Sequence, residues 1–163
     1  MKISRNKRGV VWVSCDSLRE TAEEHVESLE DTVREFPTNR TLKELLEVYR
    51  RRSGLRGYAL LDAHGKSEDG RWVFYDGERR CLVQNWIDQM DGRFLLLLLY
   101  CCNPRSHRII SERSIVVHGR GNVFDLGDHL SYNHRTMIYV PGEGYLGRSY
   151  QEIRRALERL RRR

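Results

Sequence analysis

The chain reads as one α/β domain over residues 1–163, an α/β/α sandwich of three layers around a mostly parallel central sheet. Three observations predict that class. Phe94–Tyr100 is apolar or aromatic throughout. Lacking alternation and far too short to cross a bilayer, it fits a strand buried on both faces. Shorter apolar runs at Val10–Cys15 and Tyr58–Leu61 are separated by segments with helical spacing, the pattern that builds parallel sheets from strand–helix–strand units. Finally, 163 residues with 39% apolar and 32% charged side chains suit a single core without disulfides.

In chain order, Val10–Cys15 is the first strand, and Ser17-Leu18-Arg19-Glu20 is a capping box that opens a helix at once. Leu18, Ala22, Val26, Leu29, Val33 and Phe36 recur at helical spacing up to Pro37. A second capping box, Thr41-Leu42-Lys43-Glu44, starts a helix whose apolar face is Leu42, Leu45, Leu46 and Tyr49 and which ends near Ser53-Gly54. Tyr58–Leu61 is the next strand, followed by a polar stretch to Gly70 expected to be flexible. Trp72–Tyr75 reads as a short β segment closed by Asp76-Gly77. Leu82, Val83, Trp86, Ile87 and Met90 form a helix face that stops at Asp91-Gly92, and the leucine-rich strand follows. Strand, helix, strand of this length predicts that 58–61 and 94–100 are parallel neighbours. Ser114–Val117 and Thr136–Val140 are two further strands. Ser149-Tyr150-Gln151-Glu152 caps a last helix with Tyr150, Ile153, Leu157 and Leu160 on its apolar face.

Cys15, Cys81, Cys101 and Cys102 form no C-x-x-C pair, and adjacent cysteines rarely bridge each other, so free thiols in a reducing, cytoplasmic setting are expected. The apolar run Val10–Val13 behind the basic N-terminus is too short for a signal-peptide core or a membrane span, so no membrane association is expected. The net charge of +6 and pI near 9.3 come from Arg5–Arg8, Arg50–Arg52 and Arg154–Arg163. No nucleic-acid motif accompanies them. Solvated helix faces are therefore the expectation, and nucleic acid is not the expected partner.

The chemistry concentrates where two strands end. One runs into Asp62-Ala63-His64-Gly65 and the other into Tyr100-Cys101-Cys102-Asn103-Pro104. The carboxyl ends of parallel neighbours open into one crevice and lie about 4.8 Å apart. A cysteine nucleophile needs its thiolate, and a nearby imidazole lowers the thiol pKa and later protonates a departing amine. Gly65 leaves room for a carbonyl and offers a backbone N–H to an oxyanion. His118-Gly119, after a later strand, competes with His64. Cys15 and Cys81 read as packing residues and His25 as a surface residue. His118, Asp128, His129 and His134 match no ligand spacing, so neither a metal nor a cofactor is expected.

His64-Gly65, Gly70, Asp76-Gly77 and an apolar strand ending in Tyr100-Cys101-Cys102-Asn103 resemble the caspase-like cysteine peptidases, the clan that includes metacaspases, gingipains and the CHAT-domain proteases. The resemblance spans residues 58–104. It implies a caspase-like fold and a cysteine endopeptidase acting on peptide or protein substrates. By it, His64 is the general acid/base, Cys102 the nucleophile, and the N–H groups of Gly65 and Cys102 the oxyanion hole. Cys101 falls where the family usually has alanine and remains the alternative nucleophile. The family's substrate pocket draws on the loop after the first strand, here cut to about Asp16, so Asp16 and Arg19 are the substrate-binding candidates. Asp16 would suit a basic residue at the cleaved bond and Arg19 an acidic one. The short loop and Pro104 depart from the family pattern. They leave a second reading: an inactive interaction or regulatory module on the same fold, engaging a protein partner, a second copy of the chain, or nucleic acid through its arginine-rich ends.

Overall fold

The computed structural model describes residues 2–5, 9–13, 40–121, 136–146 and 150–162. Its first elements are β1 (Lys2–Arg5), β2 (Gly9–Val13), α1 (Arg40–Ser53), β3 (Tyr58–Ala63), β4 (Gly65–Glu68), β5 (Arg71–Asp76) and β6 (Arg79–Leu82). Then come α2 (Val83–Met90), β7 (Leu96–Cys101), β8 (Ile115–Gly119), β9 (Thr136–Val140), β10 (Gly144–Tyr145) and α3 (Tyr150–Arg162). The expected helix between Leu18 and Phe36, with Cys15, Asp16, Arg19 and His25, lies outside the described residues. So do Asp128, His129 and His134.

Seven strands form the main sheet in the order β1-β2-β3-β7-β8-β9-β10. The inner strands β2, β3, β7 and β8 are parallel, and β3 and β7 are direct neighbours from Tyr58↔Leu96 to Ala63↔Cys101. The edges are antiparallel: β1 on β2, β9 on β8 and β10 on β9. The sheet is therefore mixed, with a parallel centre, where a mostly parallel sheet was expected. For the outermost strands, β1 and β10, short connections produce the difference. β10 follows β9 after three residues, a length that permits a hairpin and forbids a parallel crossover.

Burial on both faces explains the apolar runs. Every residue of β3 is buried, as are Leu96–Leu99 of β7, and alternation divides their side chains between two cores. Tyr58, Leu60, Leu96 and Leu98 pack with Leu42, Leu45 and Leu46 of α1 and with Ile153, Leu157 and Leu160 of α3. Ala59, Leu61, Leu97 and Leu99 pack on the other face with Val83, Trp86, Ile87 and Met90 of α2 and with Trp72 and Phe74 of β5. The helix stripes are those of the sequence, at i, i+3, i+4 and i+7. Gly54 closes α1 at φ +72°, where its N–H donates to Arg50 O at 3.0 Å.

Residues 65–68, expected to be flexible, are strand β4 of a second, three-stranded antiparallel sheet, β4-β5-β6. The pair Asp69-Gly70 makes this possible. Both residues have positive φ, +50° and +72°, the conformation of a two-residue hairpin turn whose twist matches its flanking strands. At the end of α2, the Asp91 carboxylate accepts the N–H groups of Glu112, Arg113 and Ser114 at 2.6, 2.9 and 2.7 Å. That clamp sets the entry to β8. No helix among the described residues is long and apolar enough to cross a membrane.

Candidate functional site

The central feature is the passage of the chain from the main sheet into the small one. β3 ends at Ala63, in register with Cys101, so one further step sets His64 level with Cys102. β4 then starts at Gly65. A Cβ at Gly65 would lie 2.0 Å from Cys102 O, 2.5 Å from Cys101 Sγ and 2.9 Å from Cys102 C. Only glycine fits so close to the end of β7, for reasons of space and not of dihedral angle. The backbone of His64-Gly65 therefore presses directly on the paired cysteines.

The two thiols occupy different surroundings. Cys101 is 1% exposed and packs in the core beneath α2 and β5. Burial pushes its thiol pKa far up, and the neighbouring Cys102 and Asp62 add to the rise. It stays protonated near neutrality and nearly inert. Cys102 is half-buried, and His64 is exposed. Strand alternation accounts for the contrast, since successive side chains point to opposite faces.

Cys102 is held from three sides through its own carbonyl and through the residue that follows. Trp72 Nε1–H donates to Cys102 O at 2.8 Å. Asn103, fully buried, exchanges backbone hydrogen bonds with Gly121 beyond β8, at 2.8 and 2.9 Å. Its side chain closes the following loop: Oδ1 accepts His107 N–H at 2.8 Å, and Nδ2 donates to His107 O at 2.9 Å. Ser67 of β4 meets His107 Nε2 at 2.7 Å and ties that loop back to the small sheet. Trp72, Asn103, Ser67 and His107 were not singled out from the sequence. The Asn103-Pro104 pair, a turn signal, was the one local cue available.

His118, the competing histidine, sits one strand away and is fully buried. Its Nδ1–H donates to Gly119 O at 2.9 Å, and its Nε2 accepts the Tyr145 hydroxyl at 2.7 Å. The Tyr145 oxygen in turn accepts Ile109 N–H at 2.8 Å. These bonds fix the neutral tautomer and leave no ring nitrogen for substrate. Burial lowers the His118 pKa from 6.5 to about 4; the bond to Gly119 opposes the fall and Arg120 adds to it. Burial likewise pushes the Tyr145 hydroxyl up to about 12. The Arg108 guanidinium lies 5.0 Å over the Tyr145 ring, and the Trp72 ring centroid is 5.2 Å from that of His118. This is a satisfied polar core.

The remaining candidates separate cleanly. Asp16 and Arg19 fall outside the described residues, as do His129, His134 and Asp128. No cluster of metal-binding side chains occurs among the described residues. Cys81, Cys101 and Cys102 form no disulfide among the described residues. A cleft of about 500 Å³ between the small sheet and α2, lined by Arg71, Phe74, Arg80, Cys81 and Trp86 among others, reaches neither His64 nor Cys102. What the strand ends bring together is an exposed imidazole-bearing residue, a glycine in backbone contact with the next strand, and a half-buried thiol. No known family profile matches the chain, and no curated protein or solved structure matches it significantly.

Proposed function

We propose that the chain is a cysteine endopeptidase of caspase-like type, with Cys102 as nucleophile and His64 as general acid/base. The observation that carries this reading is the seating of Gly65 against Cys101 and Cys102, which puts His64 and Cys102 at adjoining parallel strand ends. The order of parts supports it too: strand, His-Gly, small antiparallel sheet, helix, strand, cysteine. Helices over one face of the sheet, with α2 and the small sheet over the other, suit the three-layer caspase-like sandwich. In the reaction, Cys102 Sγ gives its proton to His64 and attacks the peptide carbonyl carbon while the N–H groups of Gly65 and Cys102 hold the oxyanion. The C–N bond breaks as His64 gives a proton to the departing amine. Water, deprotonated by His64, then hydrolyses the thioester and frees the thiol.

Incubation of the chain with a mixed peptide library, read by mass spectrometry, tests the proposal. New peptide termini should form with wild type and vanish with Cys102→Ala and with His64→Ala. Cleavage that persists in Cys102→Ala would remove the nucleophile assignment. A second reading has one observation in its favour: the large cleft beside α2 lies away from His64 and Cys102. It takes the chain as an inactive module on the same fold that engages protein partners. In that case the library stays intact with every variant.

A further inference from the structure

Helices α1 and α3 lie side by side over one face of the sheet, where Arg161 of α3 reaches Glu44 of α1 at 3.6 Å. Their inner stripes are apolar, and their outer faces carry most of the chain's net charge. α1 contributes Arg40, Lys43, Arg50, Arg51 and Arg52. α3 contributes Arg154, Arg155, Arg161 and Arg162, with Arg159 set aside because it is bound to Glu143 at 2.6 Å. Against these nine cations the helices hold four carboxylates, Glu44, Glu47, Glu152 and Glu158. Five of the six net positive charges of the chain thus belong to this one layer. Two basic clusters a hundred residues apart in sequence become a single surface in the fold.

We infer that this two-helix face is a sequence-independent contact surface for the phosphate backbone of duplex nucleic acid. Eight of its nine cations are arginines, whose planar fork matches phosphate better than an ammonium does. Lys43, Arg155 and Arg162 have no carboxylate partner among the described residues. The pairs Arg40–Glu44, Arg51–Glu47 and Arg154–Glu158 span 3.4, 3.4 and 3.5 Å and are exposed. Such pairs are weakly held, so a phosphate can replace the carboxylate. Each helix is about 20 Å long, and that length of duplex carries about a dozen phosphate charges. The face lacks what other partners need. Among the described residues the one exposed large apolar side chain is Ile110, which lies on neither helix. Among the described residues the two helices offer no exposed apolar wedge for a lipid surface and no apolar anchor for a protein hot spot. Nor do the described side chains of the two helices expose an aromatic ring on which single-stranded bases could stack.

Fluorescence anisotropy of the full chain with two unrelated DNA duplexes of about twenty base pairs tests this. Both should bind equally, with log K falling against log salt at a slope of about −4 to −5, a loss of a few hundredfold between about 50 and 200 mM. The double charge reversal Arg155→Glu/Arg162→Glu should weaken binding at least about tenfold and make the slope shallower by about two. The control Arg71→Glu/Arg79→Glu, on the small sheet, should bind as wild type does, and melting curves establish that both variants are folded. Cys102→Ala should also bind normally, which separates this surface from the thiol site. No binding at about 50 mM salt, preference for one duplex, or equal losses in both double variants would overturn the proposal. So would binding to phosphatidylserine vesicles by a chain that ignores the duplex.

Discussion

Two histidines lie at the ends of β3 and β8, strands of one sheet with β7 between them, and their surroundings are opposite. His118 is buried, bonded through both ring nitrogens, and held neutral by burial. His64 is exposed at the turn between two sheets, beside a half-buried thiol. A dipeptide His-Gly occurs at both places, so the motif alone does not distinguish them. The neighbouring glycine does. Gly65 is pressed against the backbone of the next strand, whereas Gly119 lends its carbonyl to the ring beside it. One strand end is organised as core, and the other leaves its histidine exposed.

The comparison can be broken most forcefully at the glycines. Gly65→Ala places a methyl group within 2.0 Å of a backbone oxygen, and overpacking of this kind costs about 3 kcal/mol. Gly121→Ala, at the other strand end, meets open space and only the strain of φ +70°, worth about 1 kcal/mol. Urea unfolding of both variants measures the gap. Equal costs would mean that the Gly65 contact is not tight.

An effect of comparable size should come from acid. The His118 pKa is depressed from 6.5 to about 4. Between those values the unfolded chain binds a proton at this ring that the folded chain refuses. Stability therefore falls as pH drops from about 6.5 to about 4, by up to about 3 kcal/mol, and levels off below that. Denaturant melts of wild type and His118→Gln across this range should differ in slope by that amount. Parallel pH profiles would show that the ring titrates normally. Tyr145→Phe should cost about 2 kcal/mol, because it strips both His118 Nε2 and Ile109 N–H of their partner. His64→Ala, at an exposed position, should stay within about 0.5 kcal/mol. A large destabilisation there would mark His64 as structural too.

Much of the scaffold was readable from residue patterns. The leucine run read best as a doubly buried strand, and strand–helix–strand spacing made 58–61 and 94–100 parallel neighbours, as they are. The helix stripes of α1, α2 and α3 follow the sequence closely. β4 did not show, because Gly65–Glu68 is polar and its strand character comes from pairing with β5 across the Asp69-Gly70 turn. The antiparallel edges were missed for a similar reason: β1 and β10 are four and two residues long, too short to carry a period. At the site, His64, Gly65, Cys101 and Cys102 were legible as strand-end residues. Trp72, Asn103 and His107 were not, since their roles depend on partners up to 40 positions away. The division between His64 and His118 rests on burial, which no short motif encodes.

The central claim is that Cys102 is the reactive thiol and that His64 makes it so. Brief labelling with iodoacetamide at pH 6.5, followed by peptide mapping, tests it most directly, because an ordinary cysteine with a pKa of about 8.5 is almost wholly protonated there. Wild type should label rapidly at Cys102 and leave Cys101 untouched, Cys101→Ala should label as fast, and His64→Ala should slow by at least about tenfold. Labelling of Cys101 in preference to Cys102, or a rate at Cys102 indifferent to His64, would contradict the account.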